Sequence, residues 1–445
     1  MVRRAIQEEL VMRVARNQKG MVLLMLLLIF TLIASLYVLR SLDSTAINNE
    51  RAKKTQKALA EAKIALLSFA SNRPEQAGCG TNCARPGDLP CPDTNNDGFA
   101  ELSCGNAAGT TGQANRLGRL PWRNLGIPDL RDGYGERLWY AVSSRYKNDS
   151  RFRPLNSDTA ATITLRNSAG NIINDGSLTT GLAAVVISTG PAFRRVDAVV
   201  QVRDGANQNL AVNYLDNALG EDNQNFIDGN INGFISGPVR DVAGNLIVND
   251  RVLAITRADM NNVMEKRVLA EVRNALIFYF NNEGVLSYPA PANFTDGACL
   301  GFATIPLNCS ENAAITRGRI PAIPDTDWNT TSILRGGANN NWFQLNAWRE
   351  QVYYAVAPAC VTGTVACGGI GLLTLNNALI LPANGKQLVL IASGAALAGQ
   401  ARATNANRTQ VINYLEGENL MPLDDVYVRT SPLTAVVNDR AISLP

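Results

Sequence analysis

From Gly20 to Leu39 the chain carries no charged residue, and residues 21–38 read MVLLMLLLIFTLIASLYV. Twenty helical residues at ~1.5 Å each match the ~30 Å hydrocarbon core of a bilayer, so the pattern predicts a transmembrane helix over 21–40. Arg3, Arg4, Arg13, Arg16 and Lys19 precede it against Glu8 and Glu9, while only Arg40 follows before Asp43. That asymmetry predicts a cytoplasmic N-terminus, a single pass through the inner membrane and a periplasmic location for the bulk of the chain. Between Met21 and Asn72 there is neither Pro nor Gly, so the helix is expected to run on. Ala52, Leu59, Ala62, Leu66 and Phe69 recur near helical spacing, with Arg51, Lys53, Lys54, Lys57 and Glu61 between them. The second half should therefore rest one apolar stripe against a globular head.

Beyond this helix the sequence repeats itself. EAKIALLSFA at 61–70 is echoed by EVRNALIFYF at 271–280, GRLP at 118–121 by GRIP at 318–321, and ERLWYAV at 136–142 by EQVYYAV at 350–356. AVVISTG at 184–190 pairs with LVLIASG at 388–394, NYLD at 213–216 with NYLE at 413–416, and VNDR at 248–251 with VNDR at 437–440. Matches kept in one order imply two copies of one module. The chain divides into residues 1–20, a span at 21–40, a first module at 41–256 and a second at 257–445. Each module opens with a helix and then becomes rich in Gly, Pro, Asn and short apolar runs, the mark of short strands and loops. Leu182 to Ser188 and Gln387 to Ser393 read as central strands of antiparallel sheets. In the second module Val268, Leu269, Val272, Leu276 and Tyr279 form a helical stripe, with Thr256 or Asp259 as its cap. The fold class expected is α+β, one long helix on an antiparallel sheet in each module.

Composition narrows the function. The 445 residues, 46% hydrophobic and 18% charged, can bury real cores, which excludes a disordered chain. The 41 basic and 38 acidic residues leave a net charge of +3, and the surplus sits in the first twenty residues. With no basic stripe elsewhere, nucleic-acid binding is excluded. Histidine is absent, which removes Ser-His and Cys-His nucleophiles and imidazole metal sites. No phosphate-cradling loop or nucleophile elbow occurs, and no carboxylate pair stands out for acid–base work. The chain reads as a non-enzyme. Its five tryptophans read as packing anchors.

The string NQKG at 17–20, followed at once by Met21 and the long apolar helix, resembles a prepilin leader. The order of helix, variable loop, DGYGERLWY at 132–140, a strand ending in Ser188-Thr189-Gly190 and an Asp/Asn-rich loop is similar to a pseudopilin head. The family resembled is that of type IV pilins, minor pilins and the pseudopilins of type II secretion. This implies cleavage after Gly20 by prepilin peptidase, methylation of Met21, and assembly with other pilin-like subunits through inner-membrane machinery. Two departures are plain. The family's glutamate at the fifth mature position falls on Met25, and two heads on one helix are unusual, so the resemblance implies a minor subunit. The alternative function is an uncleaved, membrane-anchored periplasmic or surface binding protein or adhesin, stabilised by calcium.

Eight cysteines divide evenly between the modules: Cys79, Cys83, Cys91 and Cys104, then Cys299, Cys309, Cys360 and Cys367. In an exported chain an even count points to disulfides. Cys299 with Cys309 and Cys360 with Cys367 each close a local loop, and pairing within the first cluster stays open. A four-cysteine zinc site lacks the compact C-x-x-C spacing. Between Cys91 and Cys104, Asp93, Asn95 and Asp97 stand at positions 1, 3 and 5 of a calcium-type loop, Gly98 at position 6 and the Phe99 carbonyl at 7. Cys104 replaces the bidentate glutamate, so Glu101 would have to complete the shell. The competing reading is an Asx-rich turn braced by a disulfide. By resemblance to the calcium-binding loop of major pseudopilins, Asp222, Asn225 and Asp228 form a second candidate set.

Overall fold

The computed structural model describes residues 2–72, 85–105, 109–113, 115–149, 151–282, 286–301, 309–322, 334, 342–361, 367, 372–377, 380–420, 425–430, 433–434 and 436–444, with side chains left aside at 2–20, 38–44, 282, 377 and 380–384. Helix α1 spans Val2–Asn72 and helix α2 spans Arg257–Asn282. The unbroken first helix follows from the absence of Pro and Gly between Met21 and Asn72.

The membrane expectation is corrected. Among the described residues no helix is long and apolar enough to cross a membrane. The transmembrane helix at 21–40, and with it the single-pass inner-membrane placement, falls on that finding. What the chain forms instead is a mixed α/β structure with several small sheets.

Two of those sheets repeat one topology. Leu117–Arg119, Trp139–Val142, Leu182–Ser188 and Arg251–Thr256 lie side by side in that order, all antiparallel. Arg317–Arg319, Val352–Val356, Leu388–Ala392 and Arg440–Leu444 do the same. Even the register recurs, with Gly118 opposite Tyr140 and Gly318 opposite Tyr354. A Cβ on Gly118 would collide with the carbonyl of Asp93, and one on Gly318 with that of Ala292, because a further segment bridges to each edge strand there. The central strands Leu182–Ser188 and Leu388–Ala392 are buried along their whole length, which accounts for their unbroken apolar runs.

Each large sheet has a smaller companion that is not purely antiparallel. Leu165–Arg166 pairs antiparallel with Ile172–Asn174 and parallel with Phe234–Ile235. Leu373–Asn377 pairs antiparallel with Ile380–Lys386 and parallel with Val426–Arg429. The expectation of simple antiparallel heads is corrected accordingly. The hydrophobic pattern locates such short strands but carries no signal for the direction of their partners.

The helices join the two halves. Ala58, Leu59, Ala62 and Leu66 of α1 and Met260, Met264, Val268, Leu269, Val272 and Leu276 of α2 belong to one buried cluster that also takes in strand residues of both large sheets. The start of α2 is fixed reciprocally: Asp259 N donates to Thr256 Oγ1 at 3.1 Å, and Thr256 N donates to Asp259 Oδ2 at 2.8 Å, a capping box of about 1 kcal/mol. Lys63 of α1 reaches the same carboxylate at 2.8 Å, so the cap also ties the helices together. A polar seam completes the junction. Asp158 accepts from Gln351 Nε2 at 2.6 Å, Ala396 N at 2.9 Å and Arg402 Nη1 at 3.0 Å, and Ser157 Oγ donates to Glu265 at 2.9 Å.

Among the described residues three disulfides brace loops: Cys91–Cys104, Cys299–Cys309 and Cys360–Cys367. Cys79 and Cys83 lie outside the described residues.

Candidate functional site

The first half of α1 presents an unusual surface. From Met21 to Tyr37 the large apolar side chains are exposed on every face of the helix, with Leu23 at 69%, Phe30 at 64% and Tyr37 at 77%. Its two hydroxyls are satisfied internally: Thr31 Oγ1 donates to Leu28 O at 2.9 Å and Ser35 Oγ to Thr31 O at 2.7 Å. Nothing polar on this stretch therefore requires water. A helix that is apolar all round is stable only when covered, and covering one Leu, Ile, Phe or Met contributes about 1.5–3 kcal/mol. Such a surface can associate. It holds no group for chemistry, and Met25 offers no carboxylate for a partner's amine. Gly20 and Met21 are consecutive residues within α1, with the Met21 side chain exposed.

At the loop bearing Asp93, Asn95, Asp97, Phe99 and Glu101 the oxygens face inward onto their own backbone. Asp93 Oδ1 accepts from Asn96 N at 2.6 Å and Oδ2 from Gly98 N at 2.7 Å. Asn95 Oδ1 accepts from Asp97 N at 3.0 Å, and Asp97 Oδ1 from Phe99 N at 2.7 Å. Glu101 Oε1 takes both Thr94 N at 3.1 Å and Thr94 Oγ1 at 2.7 Å. Burial raises the Asp93 carboxyl above its ordinary value despite those donors. Among the described residues, the one group of three Cys, Asp or Glu side chains close enough to share an ion is Cys91, Cys104 and Asp149, and its two sulfurs are spent on a disulfide. The arrangement is a chain of Asx turns closed by that bridge.

The second candidate set is drawn apart by cations. Asp222 accepts from Arg195 Nη2 at 3.0 Å and Gln224 Nε2 at 3.1 Å. Asp228 is buried against Arg116 Nη1 at 2.8 Å and also accepts from Thr162 Oγ1. Asn225 is exposed. Asp222 and Asp228 brace the first module through separate ion pairs. Burial lowers the Arg116 guanidinium even with Asp228 against it.

Two constellations went unread in the sequence, and both are duplicated. In the first, Asp216 Oδ2 accepts from Asn249 N at 2.7 Å and Asp250 N at 3.2 Å, while Asp250 Oδ2 accepts from Asp216 N and Asn223 Nδ2, each at 2.8 Å. In the second module Glu416 Oε2 accepts from Asn438 N at 3.0 Å and Asp439 N at 3.2 Å, and Asp439 Oδ2 from Glu416 N at 3.0 Å and Asn419 Nδ2 at 3.2 Å. Burial, then the neighbouring carboxylate, pushes Asp250 and Asp439 well above the ordinary carboxylate range, and burial lifts Asp216 to about 6. Asp216, Asp250 and Asp439 are fully buried. No substrate reaches them, so each pair acts as a clasp between a loop and the last strand of its sheet.

The other constellation is a stacked arginine. Arg119 lies over the rings of Trp139 at 4.3 Å and Tyr214 at 4.0 Å, and Arg319 over Phe294 at 4.0 Å and Tyr414 at 5.2 Å. Burial brings the Arg119 guanidinium down to about 10. The available signal was the repeat itself, since GRLP/GRIP, NYLD/NYLE and VNDR/VNDR contain these very residues. Comparison of the chain with family models, with curated proteins and with solved structures gave no match.

Proposed function

We propose that this chain is a non-enzymatic, pilin-like structural subunit of the minor kind, belonging to a type IV pilus or a type II secretion-like filament. The observation that carries the reading is the exposed apolar half of α1, Met21 to Tyr37, with its hydroxyls satisfied inside the helix. Similar helices from sister subunits would cover that surface, while the other half of α1 stays packed into the head. Further support comes from the NQKG string before Met21. The double head, locked into one core, makes a bulky subunit suited to a terminal or sparse position. The absence of a carboxylate at Met25 fits the same role, because the charge pairing of the abundant subunits is missing.

Two measurements test it. In cells with prepilin peptidase the mature chain should begin at N-methylated Met21, and without the peptidase at Met1. A chain beginning at Met1 in both would count against the reading. Separately, Ile29→Glu in the full chain places a charge in the middle of the apolar surface. Loss of co-assembly with unchanged thermal unfolding of the heads is expected, and unaltered assembly would remove the role given to that surface.

A further inference from the structure

Where the two modules meet, a cleft of about 890 Å³ opens between α2, the Thr179-Thr180 turn of the first module and, from the second, Gly394, Ala395, Leu433, Thr434, Asn438 and Arg440. It exists only because the modules are docked, and its volume lies in the range of ligand sites, ~300–1,000 Å³. We propose that this cleft binds an acidic, hydroxyl-rich ligand, namely an oligosaccharide carrying carboxylate or sulfate groups. The assignment is independent of the filament role.

Charge is the first argument. Arg257, Lys266 and Arg440 line the cleft against one carboxylate, Glu265. That carboxylate is buried and already engaged by Arg440 Nε at 3.3 Å and Ser157 Oγ at 2.9 Å. Arg257 donates to Ser157 O at 2.7 Å and lies 4.0 Å from Asp158, a carboxylate shared with Arg402, Gln351 and Ala396 N. The surplus is positive and centres on the exposed Lys266 and on Arg257. An anion is favoured there, and a cation is opposed.

The second argument is hydrogen bonding. Asn261 is 92% buried, by its 8% exposure, and its Nδ2 donates to Ser157 O at 3.0 Å. Its Oδ1 has no partner among the described residues, although it is shielded and borders the cleft. Asn438 repeats the arrangement: Nδ2 donates to Ala395 O at 2.7 Å and Oδ1 is left without a partner among the described residues. Acceptors without a partner on two sides of the cleft, Asn261 on α2 and Asn438 on the facing segment, favour a ligand rich in donors. Hydroxyls supply them, while Leu433 and Ala258 offer apolar surface to the C–H faces of a sugar ring. Anionic groups and closely spaced hydroxyls together describe an acidic saccharide.

Titration calorimetry on the full-length chain at low salt tests this with trigalacturonate, a heparin tetrasaccharide and, as neutral control, maltotriose. At least one acidic probe should bind about tenfold or more tightly than maltotriose, and added salt should weaken it. Lys266→Glu reverses the exposed charge, and Ala395→Trp fills the cleft. Each should weaken binding about tenfold or more while leaving thermal unfolding unchanged. Failure of both acidic probes to bind, equal binding of maltotriose, or parental affinity in both variants would overturn the assignment. Since the readout is saccharide binding and not assembly, these outcomes leave the filament reading untouched.

Discussion

Replacing Asp250 by Asn separates the clasp in the first module from ordinary packing. Asp216 and Asp250 hold each other's backbone amides from fully buried positions, so two negative charges there face both desolvation and one another. An acid whose folded pKa is raised contributes stability that is complete below its unfolded pKa and is lost as pH rises through the folded value. For Asp216 the rise is from 3.8 to about 6, roughly two units, which at 1.36 kcal/mol per unit makes about 3 kcal/mol lost between pH ~4 and ~7. Asparagine keeps the acceptor for Asp216 N and Asn223 Nδ2, and its own amide can donate to Asp216. The variant should therefore be more stable than the parent by about 1–3 kcal/mol at pH 8, with a shallower fall from pH 4 to 7. Urea unfolding at a series of pH values measures both. Asp439→Asn should remove the second module's share, and the double variant should be nearly flat over that range. If Asp250→Asn is less stable than the parent at pH 8, or keeps the parental slope, the account of two buried, mutually repelling carboxylates is refuted.

Other consequences are simpler to read. Arg119→Lys removes a planar cation that lies over Trp139 and Tyr214 and donates to the carbonyls of Arg137 and Gln208. A loss of about 2–3 kcal/mol is expected, and an unchanged urea midpoint would refute it. The Cys91→Ser/Cys104→Ser variant opens a bridge with a sequence separation of 13, worth about 3 kcal/mol on chain-entropy grounds. Thermal unfolding checks it, with no change in the parent under reducing conditions as the contrary result. Because the oxygens of Asp93, Asn95, Asp97 and Glu101 are spent on backbone amides and Thr94, exchanging millimolar calcium for a chelator should leave the melting temperature in place. A calcium-dependent rise abolished by Asp93→Asn would show instead that the loop turns outward to bind the ion.

Much of the architecture was legible because it is written in one dimension. The absence of Pro and Gly between Met21 and Asn72 implied an unbroken helix, and α1 runs through that stretch. The stripe from Val268 to Tyr279 is buried, as its 3.6-residue spacing requires. The six repeated strings marked the strands and turns that recur in both halves, and the two large sheets carry one strand order. Length and hydropathy alone misled at 21–40, where the apolar run was read as a membrane span and no helix among the described residues is long and apolar enough to be one.

The candidate site was less legible. Carboxylates at calcium-loop spacing state which oxygens are near in sequence, whereas their bonds to the amides of Asn96, Gly98 and Phe99 are visible only in the structure. Asp222 and Asp228, close in the chain, went to Arg195 and Arg116. The acid clasps join residues 34 apart in the first module and 23 apart in the second, and the seam at Asp158 joins residues 193 to 244 apart. By itself the sequence determined the helices, the central strands and the duplication, since periodicity and local turn chemistry set them. Only the tertiary structure decided the direction of the companion strands, the partner of each buried charge and the cleft between modules. Those depend on which desolvated groups are brought within hydrogen-bond distance, a condition that no spacing along the chain can express.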